Sequence, residues 1–440
     1  MALLESACFH SAWGRYSYLG LHPRCTLSIT SAGQVQCDGD DLADLPNHTD
    51  DPISIWHEAI QRFNHEPPSD DSQMQGCRWI GFFSYDLARF IEVLHSTATD
   101  DLHWPLLRWC FYDGVAVYDH SLQHWTLHAA GSSQHDAEAQ LSDMQMLLQS
   151  AARNDCVDSP VASSASDWSS NFSVDRYLDA VGRAKEYVAA GDIYQVNLSQ
   201  RFESTVELPP HSIYMRLREL NPAWFAAYLQ WDDAAAMSMS PELFLRLRGH
   251  HLTTRPIKGT RPRGRNASAD RKLQDELQTS EKDCAELFMI VDLLRNDLGR
   301  VCRYGTVGVS EPRRMEAHPT VHHGVATIEG DLRNGTTLAD LVRAAFPGGS
   351  ITGAPKVRAM QIIEELEPVR RGLYTGSIGW VDSLGNLDLN IAIRTVVYKS
   401  HKLYCHLGGG IVADSDGLAE YEETLHKGRA LLSAVTQGEA

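Results

Sequence analysis

In the second half of the chain, apolar residues recur at helical and strand spacings in turn. Over 174–190, Tyr177, Val181, Ala184 and Val188 fall three and four apart, which puts them on one helical face. Gly191 and Asp192 end that helix. The run IYQVNLSQRF then alternates, with Tyr194, Val196 and Leu198 facing one way and Gln195, Asn197 and Ser199 the other, as in a strand. Residues 280–298 carry the strongest helical pattern. Leu287, Ile290, Val291, Leu294 and Leu298 form its buried stripe, Ser280 with Asp283 fits a capping box, and Gly299 suits the C-terminal cap. Residues 375–413 read as a strand meander, TGSIGWVD, LDLNIAIRTVVY and KLYCHLGGGIV, and a last helix runs from Leu418 to Val435.

The earlier part is less regular. Residues 1–155 mix strand-like runs such as WTLHAA with helix-like ones such as ISIWHEAIQRF. Residues 156–173 include SPVASSASDWSSNFS, Ser-rich and without periodicity, the composition of an exposed connection. Three segments are therefore expected: 1–155, the connection 156–173, and 174–437.

Composition narrows the class. With 43% hydrophobic and 22% charged residues, the 440-residue chain reads as ordinary soluble globular protein. Its net charge of −18 speaks against a nucleic-acid binder, which works by neutralising phosphates. Arg255, Lys258, Arg261, Arg263 and Arg265 form a basic cluster in this acidic chain, which suits a small anion. The nine cysteines are odd in number and include no CxxC pair, so neither a disulfide framework nor a zinc site is expected. No apolar run approaches the ~20 residues of a membrane helix. MALLESACFHSAW has no basic segment ahead of a long apolar run, so no secretory leader is expected and the cytoplasm is the expected compartment.

Three stretches could carry chemistry. Asp283 and Glu286 lie three apart on one helix, and Glu420, Glu423 and Lys427 share a face of another. Two carboxylate faces can hold a hard cation through oxygen ligands; two solvated helix surfaces would have the same spacing. FPGGSITGAPKVRAM, 346–360, is a glycine-rich turn running into a helix with Pro355 in its first turn. Its backbone N–H groups could receive an anion, or it is a plain capped turn. Third is Lys258, between Pro and Gly in RPIKGTRPRG. A free lysine is neutral in about one molecule in 2,500 at pH 7. A nucleophilic one needs burial or nearby cations; otherwise this is an exposed basic turn.

Taken together, SPELFL (240–245), RPIKGTRPRG (255–264), EKDCAELFMIVDLLRNDLGRV (281–301), GGSITGAPK (348–356), YTGSIGW (374–380), IAIRT (391–395), GGGIVADSD (408–416) and EYEETLHK (420–427) resemble the chorismate-utilising enzymes. The resemblance spans about 170–437, with a weaker match in LLES (3–6) and GFFSYDLARF (81–90). It implies a large two-lobed α/β (α+β) fold, two β-sheets flanked by helices, with chorismate and magnesium held between them. It further implies Glu286 and Glu423 as magnesium ligands supported by Asp283 and Glu420, and Glu242 as the acid that protonates the leaving hydroxyl. Arg394, Tyr374, Gly408, Gly409, Gly410 and Lys427 would hold substrate, with His323, Thr352 and Thr260 lining the pocket. Parity along LDLNIAIRTVVY also sets Arg394 on one face with Asp388 and Asn390.

Two positions divide that family. Its isochorismate- and salicylate-forming members carry a lysine base where this chain has Gln195, so the resemblance implies ammonia rather than water as nucleophile. Anthranilate synthases typically read PIAGT, whereas aminodeoxychorismate synthases read PIKGT, as this chain does at 256–260. The implied product is 4-amino-4-deoxychorismate, made through a covalent Lys258 intermediate. The alternatives are anthranilate formation and a non-catalytic regulatory relative that keeps the pocket. No amidotransferase segment with a Gly-flanked cysteine is visible, so a separate glutaminase subunit is the expected ammonia source. Leu4, Glu5 and Ser6 would mark a tryptophan pocket, or simply core.

Overall fold

The computed structural model describes residues 1–63, 79–131, 133–153 and 167–434. Among these, two eleven-stranded sheets are assembled by antiparallel pairing and flanked by helices. Beside the ten strands in each order below, Ser169–Ser170 pairs with Gln195–Thr205 in the first and Gly308–Ala317 with Val321–Asp331 in the second. In one, strands 353–354, 195–205, 402–411, 395–399, 234–240, 225–231, 2–5, 16–20, 114–119 and 124–129 lie in that order. In the other the order is 257–262, 321–331, 251–255, 243–248, 387–390, 377–381, 79–83, 107–111, 25–29 and 35–38. Residues on both sides of the Ser-rich stretch thus share both sheets. Leu3 pairs with Tyr228 in the first, and Gly81 with Gly379 in the second. Most of the Ser-rich stretch, and Val435 at the expected helix end, lie outside the described residues.

Apolar packing follows from this. Leu4, Phe82, Trp104, Ala236 and Trp380 belong to a cluster with contributions from both sheets. A second buries Ile213, Leu217, Met237, Leu403 and Leu431, covering the first sheet with the Pro210–Leu220 and Gly417–Ser433 helices. The largest takes the stripe Leu287, Ile290, Val291, Leu294 and Leu298. Each such aliphatic side chain contributes about 1.5–3 kcal/mol when fully buried.

Local expectations hold with instructive exceptions. The Val174–Ala189 helix is capped by Ser173, which accepts the Arg176 N–H. Gly191 follows at φ +80°, a conformation that favours glycine. The Gln195–Thr205 strand is buried on both faces because strand and helix neighbours cover it, whereas Tyr194, just before it, is 72% exposed. The Glu281–Gly299 helix is capped by Ser280, but the Asp283 carboxylate does not close the box, because Arg261 takes it at 3.0 Å. Gly299 is still helical, and the cap is Arg300 in right-handed conformation. Pro355 is the N-cap of Lys356–Leu366 rather than lying in its first turn.

The largest departure is in LDLNIAIRTVVY. It is not one strand. Leu387–Asn390 belongs to the second sheet and Thr395–Lys399 to the first, and the chain crosses between them over 391–394. Arg394 stands at φ +50°, so strand parity with Asp388 and Asn390 does not carry through to it. Asp388 instead pairs with Arg246 and Arg248, and the Asn390 side chain accepts the Ile378 N–H.

Candidate active site

The two crossings between sheets build the centre of the site. One, at 241–242, carries Glu242; the other carries Arg394. Backbone bonds lock them together: Ile391 N–H donates to the Glu242 C=O at 3.0 Å, and Met239 N–H donates to the Arg394 C=O at 3.0 Å. Glu242 is buried and accepts a 2.6 Å hydrogen bond from Ser350 Oγ. Burial pushes its carboxyl up to about 7, against the opposing pull of Ser350, Lys258 and Arg394. A carboxyl raised that far keeps its proton much closer to neutral pH than a free one, as a general acid requires. Ser350 lies within GGSITGAPK, where nothing local marks it for this role.

Arg394 donates to His323 Nε2 at 3.2 Å and to Asn221 Oδ1 at 3.4 Å. Among the described residues it has no carboxylate partner within ion-pair distance, and burial lowers its guanidinium to about 10. Since the guanidinium can only donate, Nε2 accepts. The His323 proton then sits on Nδ1, which faces Thr260 Oγ1 at 2.9 Å. Burial, with Arg394 and His318 beside it, holds the His323 imidazole far below its ordinary pKa, hence neutral. A part-buried guanidinium with no ion-pair partner among the described residues is a natural receiver for a ligand carboxylate.

Lys258 lies on Ile257–Pro262, which together with His251–Arg255 lines one edge of the Val321–Asp331 strand, Gly308–Ala317 lining the other. The register slips between Lys258, opposite Gly324, and Thr260, opposite His323. Gly259, at φ +78°, is the extra residue. Such a bulge re-aims the flanking side chains. A Cβ at Gly259 would come within 3.0 Å of Asp283. Asp283 therefore packs against this bulge and pairs with Arg261 at 3.0 Å. Lys258 is partly buried and has no ion pair among the described residues. Burial lowers its amine's pKa; Glu286, Glu242 and Glu423 pull it back up, and Lys427 adds to the lowering.

Opposite stands the edge of the first sheet. Asn197, Leu198 and Ser199 pair with Gly410, Gly409 and Gly408. Gln195 is fully buried, and neither atom of its amide finds a partner among the described residues. A Cβ at Gly410 would come within 2.5 Å of that amide, so glycine there makes room for it. A Cβ at Gly409 would meet Glu420, Glu423 and Lys427 at 3.2, 3.6 and 3.7 Å. Thr352 is buried, but its hydroxyl donates to the Gly348 and Gly349 carbonyls. Tyr374 stacks on His406 with centroids 5.2 Å apart and lies beside Arg371. These contacts, not Arg394, are its described surroundings.

The chemistry of the donors decides whether magnesium suits the site. No group of three His, Cys, Asp or Glu is gathered closely enough to be a ready metal cage among the described residues. Glu420 and Glu423 nevertheless converge beneath Gly409. Burial, with Glu423 nearby, raises the Glu420 carboxyl above its ordinary range, while Ser415 Oγ donates to it at 2.6 Å. Lys427 Nζ bonds Glu423 at 2.6 Å and the Gly408 C=O at 3.0 Å. An ammonium thus stands in as the cation, among all-oxygen donors of the kind a hard cation prefers. The donor set fits magnesium.

Leu4, Glu5 and Ser6 lie elsewhere. They line a cavity of about 310 Å³ together with Trp13, Tyr16, Trp224 and Trp380. The Glu5 carboxylate is already taken by Arg218 at 2.7 Å and Tyr214 at 2.9 Å, and Ser6 Oγ donates to the Tyr16 and Trp224 carbonyls. The stretch thus walls a cavity and braces it at once.

A family model described as chorismate binding enzyme matches residues 5–433. The chain belongs to that family. It is 40% identical over 439 residues to aminodeoxychorismate synthase component 1 of Bacillus subtilis (strain 168), covering 99% of this chain and 92% of the relative. Anthranilate synthase component 1 of Aquifex aeolicus (strain VF5) is 37% identical over 453 residues, covering 98% and 88%. The structure of anthranilate synthase component I from Streptococcus pneumoniae TIGR4 superposes with a TM-score of 0.84 at 29% identity, over 97% of this chain and 94% of that one. This chorismate-binding enzyme therefore has relatives of two reaction types at similar identity. No helix among its described residues is long and apolar enough to cross a membrane.

Proposed function

We propose that the chain is the chorismate-aminating component of an aminodeoxychorismate synthase, supplying 4-amino-4-deoxychorismate for 4-aminobenzoate and folate formation. The observation that carries this reading is Lys258, a partly buried amine with a lowered pKa between Glu242 and the Glu286 and Glu423 carboxylates. The relatives named aminodeoxychorismate synthase support it. Arg394, oriented by the neutral His323 that accepts its N–H, receives the ring carboxylate, and Glu286, Glu423 and Glu420 would hold magnesium. When bound, that ion would supply Lewis-acid stabilisation of charge on the substrate.

In this mechanism the Lys258 amine attacks ring carbon 2, and both double bonds of the ring diene shift around the ring. The hydroxyl leaves carbon 4 as water with a proton from Glu242, while the new C–N bond's nitrogen sheds a proton. Ammonia then attacks carbon 4 and sheds a proton, both double bonds shift back, and the lysine takes up a proton and leaves carbon 2 as the neutral amine. One difficult substitution becomes two allylic ones. Gln195 offers no base to activate water, and its unpartnered amide is free for substrate. Ammonia comes from a separate glutaminase subunit, in keeping with the relatives' designation as component 1. The cavity walled by Leu4, Glu5 and Ser6 has the aromatic lining to take tryptophan.

Identifying the product tests the reading. With chorismate, magnesium and ammonium, mass spectrometry should find a product in which one hydroxyl has become an amino group and pyruvate is retained. Fluorescent anthranilate with released pyruvate would instead make the chain an anthranilate synthase component.

A further inference from the structure

Ser350, Gln195 and the 374–375 turn come from separate segments, and one buried guanidinium reaches all three segments. Arg371 is 2% exposed. Its Nη1 donates to the Ile351 C=O at 3.1 Å and Thr375 Oγ1 at 3.3 Å. Its Nη2 donates to the Asn197 C=O and Glu367 Oε1, both at 2.7 Å, and its Nε to Glu367 Oε2 at 2.9 Å. Glu367, also buried, accepts the Ser199 N–H and hydroxyl at 2.8 Å. The Asn197 N–H donates to the Thr352 C=O at 2.8 Å. The backbone directly after Ser350 is thus gripped twice, once by Arg371 and once by the strand that Arg371 itself holds.

Five donors in a rigid fork can fix several acceptors at once, which a lysine cannot. A buried ion pair adds little net stability over apolar side chains of the same volume; what this one supplies is geometry. The described side-chain hydrogen bond of Ser350 is the one to Glu242, so its placement depends on the backbone around it, where the Thr352 hydroxyl also holds the Gly348 and Gly349 carbonyls. Without the hold on the Ile351 C=O, the turn loses one of its ties and the Ser350 hydroxyl is held less firmly at 2.6 Å from Glu242.

We propose that Arg371 is a positioning residue of the amination reaction, acting through the Ile351 carbonyl to hold Ser350 on Glu242. This rests on Glu242 being the acid. A hydrogen bond from Ser350 favours the ionised carboxylate, so its loss raises the Glu242 pKa. Lys258 and Arg394 are the charged groups facing Glu242, and neither is altered in the variants below.

The test compares Arg371→Lys, Ser350→Ala and the double variant in ammonium-dependent turnover across pH. Each single variant should lower kcat about 10–100-fold with KM little changed, and should move the basic limb of the kcat profile to higher pH by the same amount. The double variant should be no worse than Ser350→Ala, because both act on one contact. Additive losses, or an Arg371→Lys profile whose limb stays in place while that of Ser350→Ala moves, would overturn the role of Arg371 alone. An unmoved limb in Ser350→Ala would overturn the acid role of Glu242 and this inference with it. Should Arg371→Lys not fold, Glu367→Gln takes its place. It loosens the guanidinium while retaining the side chain's shape, and a limb that stays put there overturns the proposal equally.

Discussion

Replacing Lys258 by alanine is expected to abolish amination, with a loss on the order of 10³-fold or more, as when an enzyme loses its nucleophile. Burial keeps the amine's pKa below that of a free lysine, and the surrounding carboxylates restrain the shift rather than cancel it. A neutral amine is what attacks carbon. With chorismate and magnesium but no ammonia, the unaltered enzyme should gain the mass of chorismate less one water. Peptide mapping of an early-quenched sample should put that mass on Lys258. Lys258→Ala should gain none, and Lys258→Arg should fail as well, because guanidinium stays charged. Full turnover in the alanine variant would reduce Lys258 to a positive pocket wall.

Chelation should be nearly as damaging. Glu286, Glu420 and Glu423 face an anionic substrate, and among these groups the only short cation contact described is that of Lys427 to Glu423, at 2.6 Å. Without a further cation, like charges oppose binding. Several kcal/mol of stabilisation is a usual contribution of such a metal. Glu423→Ala or Glu286→Ala should therefore cost about 10²–10³-fold in kcat/KM, since each 1.36 kcal/mol is tenfold. Titration calorimetry should show magnesium binding weakened in both. Near-normal turnover in excess chelator would remove magnesium from the reaction.

Much of the scaffold was legible along the chain. The Val174–Ala189, Glu281–Gly299 and Gly417–Ser433 helices announce themselves by 3.6-residue periodicity and, in the first two, a capping serine. Those signals are local, because a helix bonds within itself and shows one face to the core. The site's membership was legible in a different way, through motifs such as RPIKGTRPRG and EYEETLHK. The motifs supplied residues without their arrangement.

Arrangement is where local reading ran out. LDLNIAIRTVVY has unbroken strand character, yet the chain leaves one sheet and enters the other within it, and Arg394 owes its place to that crossing. Nothing local marks the crossing, since which sheet a strand joins depends on partners far away in sequence. Asp283 has the spacing of a metal ligand, and that spacing gives no sign of its ion pair with Arg261. Ser350 and Arg371 gave no signal, because their acceptors Glu242 and Asn197 lie 108 and 174 residues away. The sequence alone determined the helices, the chemical kinds of side chain available and the family they resemble. Tertiary structure decided which carboxylate is buried and pushed up to about 7, which guanidinium is left without a carboxylate ion pair among the described residues, and that Lys258 has a lowered pKa. Burial and Coulomb interactions depend on distance in space, and the chain reveals that distance only once the two sheets have closed on each other.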